Sequence, residues 1–368
     1  MQMLDLFSGI GGFHRGFEEA GWEFDWIGFS EIDKHASSVY RYRYPKAVEL
    51  GDITTIQPER DLPDKLTVLC GGFPCQSFSI AGARGSFSDT RGTLFFEIAR
   101  ILSYYKDKGD PVPYFLLENV KGLYSAGDYT AFATIYGILT ELDYNVECSL
   151  ENTKYYLPQN RERVYIAGYI GDRSRGQIFP LGEGSKEIDK REESRGLQKQ
   201  YSSTIFAGQH KISRGMTLIA DYRTDEGLRI RKDNVSPCLN SVKASETEPS
   251  WMPPLAIEET RIRRLTPNEC ERLQGFSARN KDGIWEDGWT SKGMVDDKVV
   301  NISDTQRYRM CGNAVTVNVV KAIAAKMLST VEIDCDHENL EQGEDRYGRE
   351  EHQYTTYWFC LDCGEEIE

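Results

Sequence analysis

The chain has 368 residues, nine cysteines and a formal net charge of −14, which is room for one large domain and a smaller second one. An odd number of scattered cysteines fits a reducing compartment far better than a disulfide framework, no basic leader precedes the first apolar run, and no apolar run reaches the length of a membrane span. A cytoplasmic protein with no membrane partner is expected. The acidity is unevenly placed: residues 331–368 hold 13 acidic and 2 basic side chains, whereas residues 171–264 hold 17 basic and 14 acidic ones. Clusters at Arg229, Arg231 and Lys232 and at Arg261, Arg263 and Arg264 therefore keep a nucleic-acid partner open despite the overall sign.

In chain order, apolar runs predict strands at Met3–Phe7, Trp26–Ser30, Val68–Gly71, Tyr114–Leu117, Asn145–Leu150 and Val164–Tyr169. Between them lie helix-like segments at Phe13–Ala20, closed by Gly21, and Leu94–Tyr105, closed by Gly109 and Pro111. This alternation predicts an α/β domain with a doubly wound, mostly parallel sheet over residues 1–170. Residues 171–264 decay into short polar pieces with a weak strand signal near Thr217–Ala220, as a smaller irregular domain would. Helical periodicity returns at Thr266–Gln274, opened by Thr266 and Pro267, and at Val315–Leu328, so residues 265–330 form a C-terminal segment and 331–368 an acidic tail.

Chemistry gathers where predicted strands end. Asp5 to Phe13 run from a strand through Gly9, Gly11 and Gly12 into a helix, a turn that lets backbone amides approach a ligand. Glu31, about 20 residues on and after the next strand, stands where a carboxylate binds ribose hydroxyls, and Asp52 in Gly51-Asp52-Ile53 could accept from an adenine amine. These residues point to an adenosine-containing cofactor without separating a nicotinamide dinucleotide from S-adenosylmethionine. Cys75 follows a strand end and the rigid Pro74, on a Gly- and Ser-rich run whose stretch Ile80–Gly92 could serve as a lid, so a cleft thiol competes with a buried inert one. Glu118 ends another strand on the same edge. Arg161 and Arg163 precede a further strand and could hold a carbonyl or anionic group.

Taken together, the blocks DLFSGIGGF (5–13), Glu31, GDI (51–53), GGFPCQSFS (71–79), ENV (118–120), QNRERVYIAG (159–168), RLTPNECERLQGF (264–276) and GNAVTVNVV (312–320) resemble the DNA (cytosine-5) methyltransferases. That resemblance implies a Rossmann-like domain that uses S-adenosyl-L-methionine. Cys75 would be the nucleophile added to cytosine C6, Glu118 the proton donor at N3, Arg163 a contact to O2, and Arg161 a support for the catalytic loop or a phosphate. The cofactor would be held by Phe7, Gly9, Gly11, Gly12, Glu31, Ile32, Asp52, Ile53, Pro74, Leu94, Asn313 and Ala314. Ser79, Asn119 and Gln159 would face the flipped nucleotide, and residues 171–264 would be the target-recognition domain, with Thr217-Leu218 resembling an element found there.

The resemblance further implies double-stranded DNA as partner, a cognate restriction endonuclease or a solitary phage or host role, and nucleoid association; one recognition domain serves one site, so a monomer is expected. Other readings are a transfer-RNA methyltransferase, a non-catalytic DNA-binding regulator, and a nicotinamide oxidoreductase, which would leave Pro74-Cys75-Gln76 unexplained. In the tail, Cys335-x-His337 and Cys360-x-x-Cys363 offer four ligands for a structural zinc, with His352 as a substitute for His337.

Overall fold

The structure, a computed structural model, describes residues 1–74, 94–124, 130–171, 177–179, 181, 218–223, 227–230, 236–237, 255–258, 261–279, 284–329, 340–346, 354–360 and 366–367. The chain divides into two compact units, Met1–Leu328 and Ser329–Glu368.

The first unit begins β1 (Gln2–Leu6), α1 (Gly12–Glu19), β2 (Trp26–Ser30), α2 (Lys34–Arg43), β3 (Val48–Glu49), α3 (Pro58–Asp61), β4 (Val68–Gly72), α4 (Leu94–Asp107), β5 (Tyr114–Val120), α5 (Thr130–Glu141) and β6 (Asn145–Asn152). It continues through β7 (Gln159–Asn160), β8 (Glu162–Tyr169), β9 (Leu218–Arg223), β10 (Gly227–Ile230), β11 (Ser236–Pro237), β12 (Leu255–Glu258) and β13 (Arg261–Arg264). It closes with α6 (Pro267–Leu273), β14 (Ala278–Arg279), β15 (Trp285–Glu286), β16 (Lys292–Val295), β17 (Lys298–Asn301), α7 (Asp304–Asn313) and α8 (Val317–Leu328).

Seven strands form the main sheet in the order β3-β2-β1-β4-β5-β8-β6. All neighbours from β3 to β5 are parallel, and β8 runs antiparallel to both β5 and β6. The central strands read as continuous apolar runs because both faces are covered. On one face Leu4, Leu69, Phe115 and Ile166 join Phe95, Ile98 and Leu102 of α4 and Ile135 and Leu139 of α5 in one core. The other side carries α1 and α8, pinned by Trp22 Nε1 donating to the Ala324 carbonyl at 2.9 Å. A smaller cluster brings Ile10, Ala36 and Val39 together with Phe276, Met310, Ala314 and Val317, so the C-terminal segment packs beside the start of the chain.

Two strands end later than their apolar runs suggest. β5 extends through Val120 and β6 through Asn152, so Glu118 and Asn119 lie inside a strand and not just beyond one. Tertiary pairing with β8 supplies the backbone partners there, Glu118 opposite Tyr165 and Val120 opposite Arg163. The region expected to be irregular contains a four-stranded antiparallel sheet, β10-β9-β12-β13, with Leu218 in β9; Thr217 lies outside the described residues. α6 starts as expected, with Thr266 and Glu269 closing a capping box.

The second unit is a three-stranded antiparallel sheet of β18 (Leu340–Arg346), β19 (Tyr354–Cys360) and β20 (Glu366–Ile367), in which Leu340 pairs with Cys360. Cys335, His337, His352 and Cys363 lie outside the described residues, and only the backbone of Cys360 is described. Among the described residues no group of three or more His, Cys, Asp or Glu could hold a metal ion, and no helix is long and apolar enough to cross a membrane.

α1 meets α8 through small residues. A Cβ on Gly16 would stand 2.5 Å from Val320 Cγ1 and 2.7 Å from its Cβ. Gly16→Ala should therefore lower the stability of the first unit by about 1–3 kcal/mol through overpacking, measured by urea denaturation. Pairing it with Val320→Ala should recover part of that loss.

Candidate active site

In an open α/β sheet, ligands bind beyond the carboxyl ends of the strands where the strand order reverses. Here that point lies between β1 and β4: β1 has β2 on one side and β4 on the other, with Leu6 opposite Gly71. The residues that follow are Phe7 to Gly12 from β1, and Phe73 and Pro74 from β4.

The turn after β1 is held in an unusual shape. Phe7, Gly9 and Gly11 all have positive φ, 53°, 54° and 83°, a conformation that costs a non-glycine residue such as Phe7 roughly 1–3 kcal/mol and is characteristic of ligand sites. Gly9 has open space where a Cβ would stand, and its amide donates to Glu31 Oε2 at 2.8 Å. Asp33, which caps α2, donates its own amide to Glu31 Oε1 at 2.7 Å. Burial pushes the Glu31 carboxyl above the ordinary carboxylate range, against these two amides that favour the charged form. The carboxylate is thus fixed at the mouth of the crevice beside Ile32, whose side chain is 75% exposed. An oriented acid, an exposed apolar side chain and a clear glycine backbone fit the ribose, ring and chain of an adenosine-type cofactor.

Three residues expected at the cofactor also have contacts within the protein. Gly12 is closed by protein: a Cβ there would meet Val315 Cγ2 at 2.6 Å, so its small size serves packing against the C-terminal segment. The Ile53 side chain belongs to the core, which leaves only its backbone for a ligand. Asp52 is exposed and caps a short 3-10 turn, Oδ1 accepting from the Thr54 amide and hydroxyl, each at 2.9 Å. Pro74 is exposed, Leu94 is half-buried at the start of α4, and Asn313 is exposed beside buried Ala314.

On the neighbouring strand Glu118 lies opposite Gly72, and a Cβ on that glycine would stand 3.2 Å from Glu118 Oε2. The acid is 8% exposed. Arg163 Nε stands 3.0 Å from Glu118 Oε1, close enough for attraction, yet Oε1 has no aligned hydrogen bond among the described residues. Burial raises the proton affinity of Glu118, and the charges of Arg161 and Arg163 only partly oppose it. A buried carboxyl with a raised pKa is equipped to give a proton to a base held in front of it.

Cys75 and Ser79 lie outside the described residues, as does the run Ile80–Gly92. Pro74, which directly precedes Cys75 in the sequence, follows β4, the strand beside the one that carries Glu118. Two expected substrate contacts are turned inward. Asn119, 1% exposed, donates its amide to the Phe73 carbonyl at 2.9 Å and accepts from the Val120 amide at 2.8 Å, which anchors the backbone leading into Pro74 and Cys75. Gln159 is wholly buried and donates to the Leu273 carbonyl at 3.4 Å.

Arg161 is 3% exposed and donates to the carbonyls of Gly312 at 3.2 Å and Ala314 at 2.9 Å. Its guanidinium therefore joins the link between β7 and β8 to the Asn313 segment, in the interior of the protein. Sequence reading passed over Asp33, although an Asp before a helical segment is a standard capping signal.

The family model for "C-5 cytosine-specific DNA methylase" matches residues 1–329. The chain is 35% identical over 337 residues to the Type II methyltransferase M.SsoII of Shigella sonnei, covering 90% of this chain and 81% of the relative. It is 34% identical over 342 residues to the Type II methyltransferase M.HpaII of Haemophilus parainfluenzae, covering 88% of each. The crystal structure of the S. pombe Dnmt2 methyltransferase shares the fold with a TM-score of 0.59 at 19% identity, over 89% of this chain and 97% of that one.

Replacing Arg161 by Met should leave two buried carbonyls without their donor and cost about 3 kcal/mol of stability. Urea denaturation of the variant checks this.

Proposed function

Because the chain belongs to the C-5 cytosine-specific DNA methylase family, we propose the roles of its own residues in a reaction whose class is thereby known. The protein is a DNA (cytosine-5) methyltransferase that uses S-adenosyl-L-methionine. The bound cofactor supplies an electrophilic methyl group on a sulfonium.

Cys75, as thiolate, adds to C6 of a cytosine flipped out of the duplex, and Glu118 gives a proton to N3 as charge develops there. Electron density then sits on C5, which would take the methyl group as its bond to the sulfonium breaks and the sulfur leaves as a neutral thioether. Loss of the C5 proton to a solvent water and expulsion of the Cys75 thiolate restore the aromatic ring, and N3 returns its proton to Glu118. Arg163 holds Glu118 from the side and reaches O2 of the base. Asn119 keeps the Phe73 carbonyl, and so the entry to Cys75, in register with the acid. Arg161 holds the carbonyls of Gly312 and Ala314, while Glu31 would receive the ribose hydroxyls and Ile32, Phe7, the backbone of Ile53 and Asp52 would hold the adenine. The observation that carries these roles is the buried Glu118 carboxyl, with its raised proton affinity, on the strand beside the one that leads into Cys75.

The Type II name of the relatives supports a place in restriction-modification beside a cognate endonuclease that cuts the same short motif. A reducing cytoplasm, association with the nucleoid and action as a monomer go with that reading; residues 171–264 would choose the sequence.

The test is methylation of complex unmethylated DNA, read by sequencing that resolves 5-methylcytosine. Marks confined to one short motif are expected from the wild type, and none from Cys75→Ala, which should still bind DNA and cofactor; turnover by Cys75→Ala would remove the thiol from the reaction. Because Glu118 acts in its protonated form, kcat/KM should fall as pH rises through its raised pKa. Glu118→Gln should lose about 10²–10⁴-fold in rate together with that limb of the profile.

We also propose that the second unit carries a structural zinc ion on Cys335, His337, Cys360 and Cys363. The pairing of Leu340 with Cys360 supports this, since both pairs of ligands are then sequence neighbours of the same end of one two-stranded ladder. Elemental analysis of the purified full chain should give one zinc per molecule, and Cys360→Ser with Cys363→Ser should remove it. A metal-free wild type purified without chelator would contradict the assignment.

A further inference from the structure

The turn that carries Gly9, Gly11 and Gly12 is braced from outside by a residue 279 positions away. Trp289, between β15 and β16, donates its indole Nε1–H to the Ile10 carbonyl at 2.9 Å. Two guanidinium groups lie over its ring, Arg15 at 4.5 Å and Arg43 at 4.6 Å from the ring centre. A cation held over an indole is attractive and restrains the ring. The Phe276 ring packs at 5.4 Å, and Arg15 ties that contact down by donating to the Phe276 carbonyl at 2.6 Å.

The backbone of Trp289 is equally committed. Its amide donates to Glu271 Oε2 at 2.9 Å, and its carbonyl accepts from Arg43 Nε at 2.8 Å. Glu271, wholly buried in α6, also accepts from the Gly288 amide at 2.9 Å, the Thr290 amide at 3.0 Å and Arg307 at 2.9 Å. So many donors on one buried carboxylate leave the segment 288–290 a single placement. On the other side of the hydrogen bond, Ile10 is buried and precedes the left-handed Gly11, whose amide donates to the Ser8 carbonyl at 3.0 Å.

We propose that Trp289 is a positioning residue for the cofactor: through its indole N–H it fixes the Ile10–Gly11 peptide and with it the orientation of the turn that receives S-adenosyl-L-methionine. The inference rests on reading that turn as the cofactor site. Fixing the peptide in advance removes an ordering cost from cofactor binding, and a group that acts only there changes affinity and leaves the chemical step alone. DNA binding and the pair formed by Glu118 and Arg163 do not depend on it.

The experiment uses the full chain with Trp289→Phe, which keeps an aromatic ring beside the two arginines and removes the donor; Trp289→Leu serves as a second variant without a donor. Calorimetry gives the Kd for S-adenosyl-L-methionine, steady-state kinetics give KM for cofactor and for DNA and kcat, and thermal melting gives Tm. The expected result is a cofactor Kd and KM raised roughly three- to tenfold, with kcat and the KM for DNA within about twofold of wild type. An unchanged cofactor Kd in both variants would overturn the proposal, as would a parallel fall in kcat and DNA affinity with a lowered Tm, which is what a general structural role produces. Failure of the wild type to bind the cofactor would instead overturn the reading of the turn on which the proposal stands.

Discussion

Everything at the active site depends on one topological constraint: β1 and β4 are neighbours, while the chain leaves them toward opposite sides of the sheet. Only between their carboxyl ends does the helical cover part. The turn Phe7–Gly12 and the entry Phe73–Pro74 must both emerge there, whatever their sequences. Glu118 reaches the same edge because β5 is registered one strand further along, opposite Gly72. Parallel pairing thus converts three segments far apart in the chain into one row of strand ends.

The electrostatics of the row follow from burial. Glu31 and Glu118 are both carboxyls pushed toward their protonated forms by desolvation, but their surroundings differ. Glu31 is committed to two amides and so is a fixed acceptor, suited to holding hydroxyls. Glu118 is buried with the Arg163 guanidinium 3.0 Å from Oε1, so its proton affinity is set by desolvation against a neighbouring positive charge. The same residue type has two uses because one is oriented by backbone amides and the other faces an arginine.

The C-terminal segment completes the site through buried polar contacts with several parts of the first 170 residues. Arg161 holds the carbonyls of Gly312 and Ala314, Thr153 shares a hydrogen bond with Thr316 at 2.8 Å, and Gln159 donates to the Leu273 carbonyl at 3.4 Å. Such groups are costly to bury singly and strong when mutually satisfied. They restrict the segment to one docking position, and Gly12 and Gly16 make room for it against α1.

The sequence by itself determined the alternation of strands and helices, the glycine-bearing turn after β1, and the family, because apolar periodicity and turn chemistry are local. It was legible at Glu31, Glu118 and Arg163, whose side chains stand at the crevice. Helix α2 escaped notice because its buried face includes Ser37 and Ser38, which do not read as apolar. Tertiary structure alone decided that β8 runs antiparallel, that β5 continues through Val120, and that Asn119, Gln159 and Arg161 point inward to carbonyls at Phe73, Leu273, Gly312 and Ala314. It also decided that Trp289 meets Ile10. A side chain's polar partner depends on what folding brings within about 3 Å, and partners 46 to 279 positions away leave no periodic trace in the chain.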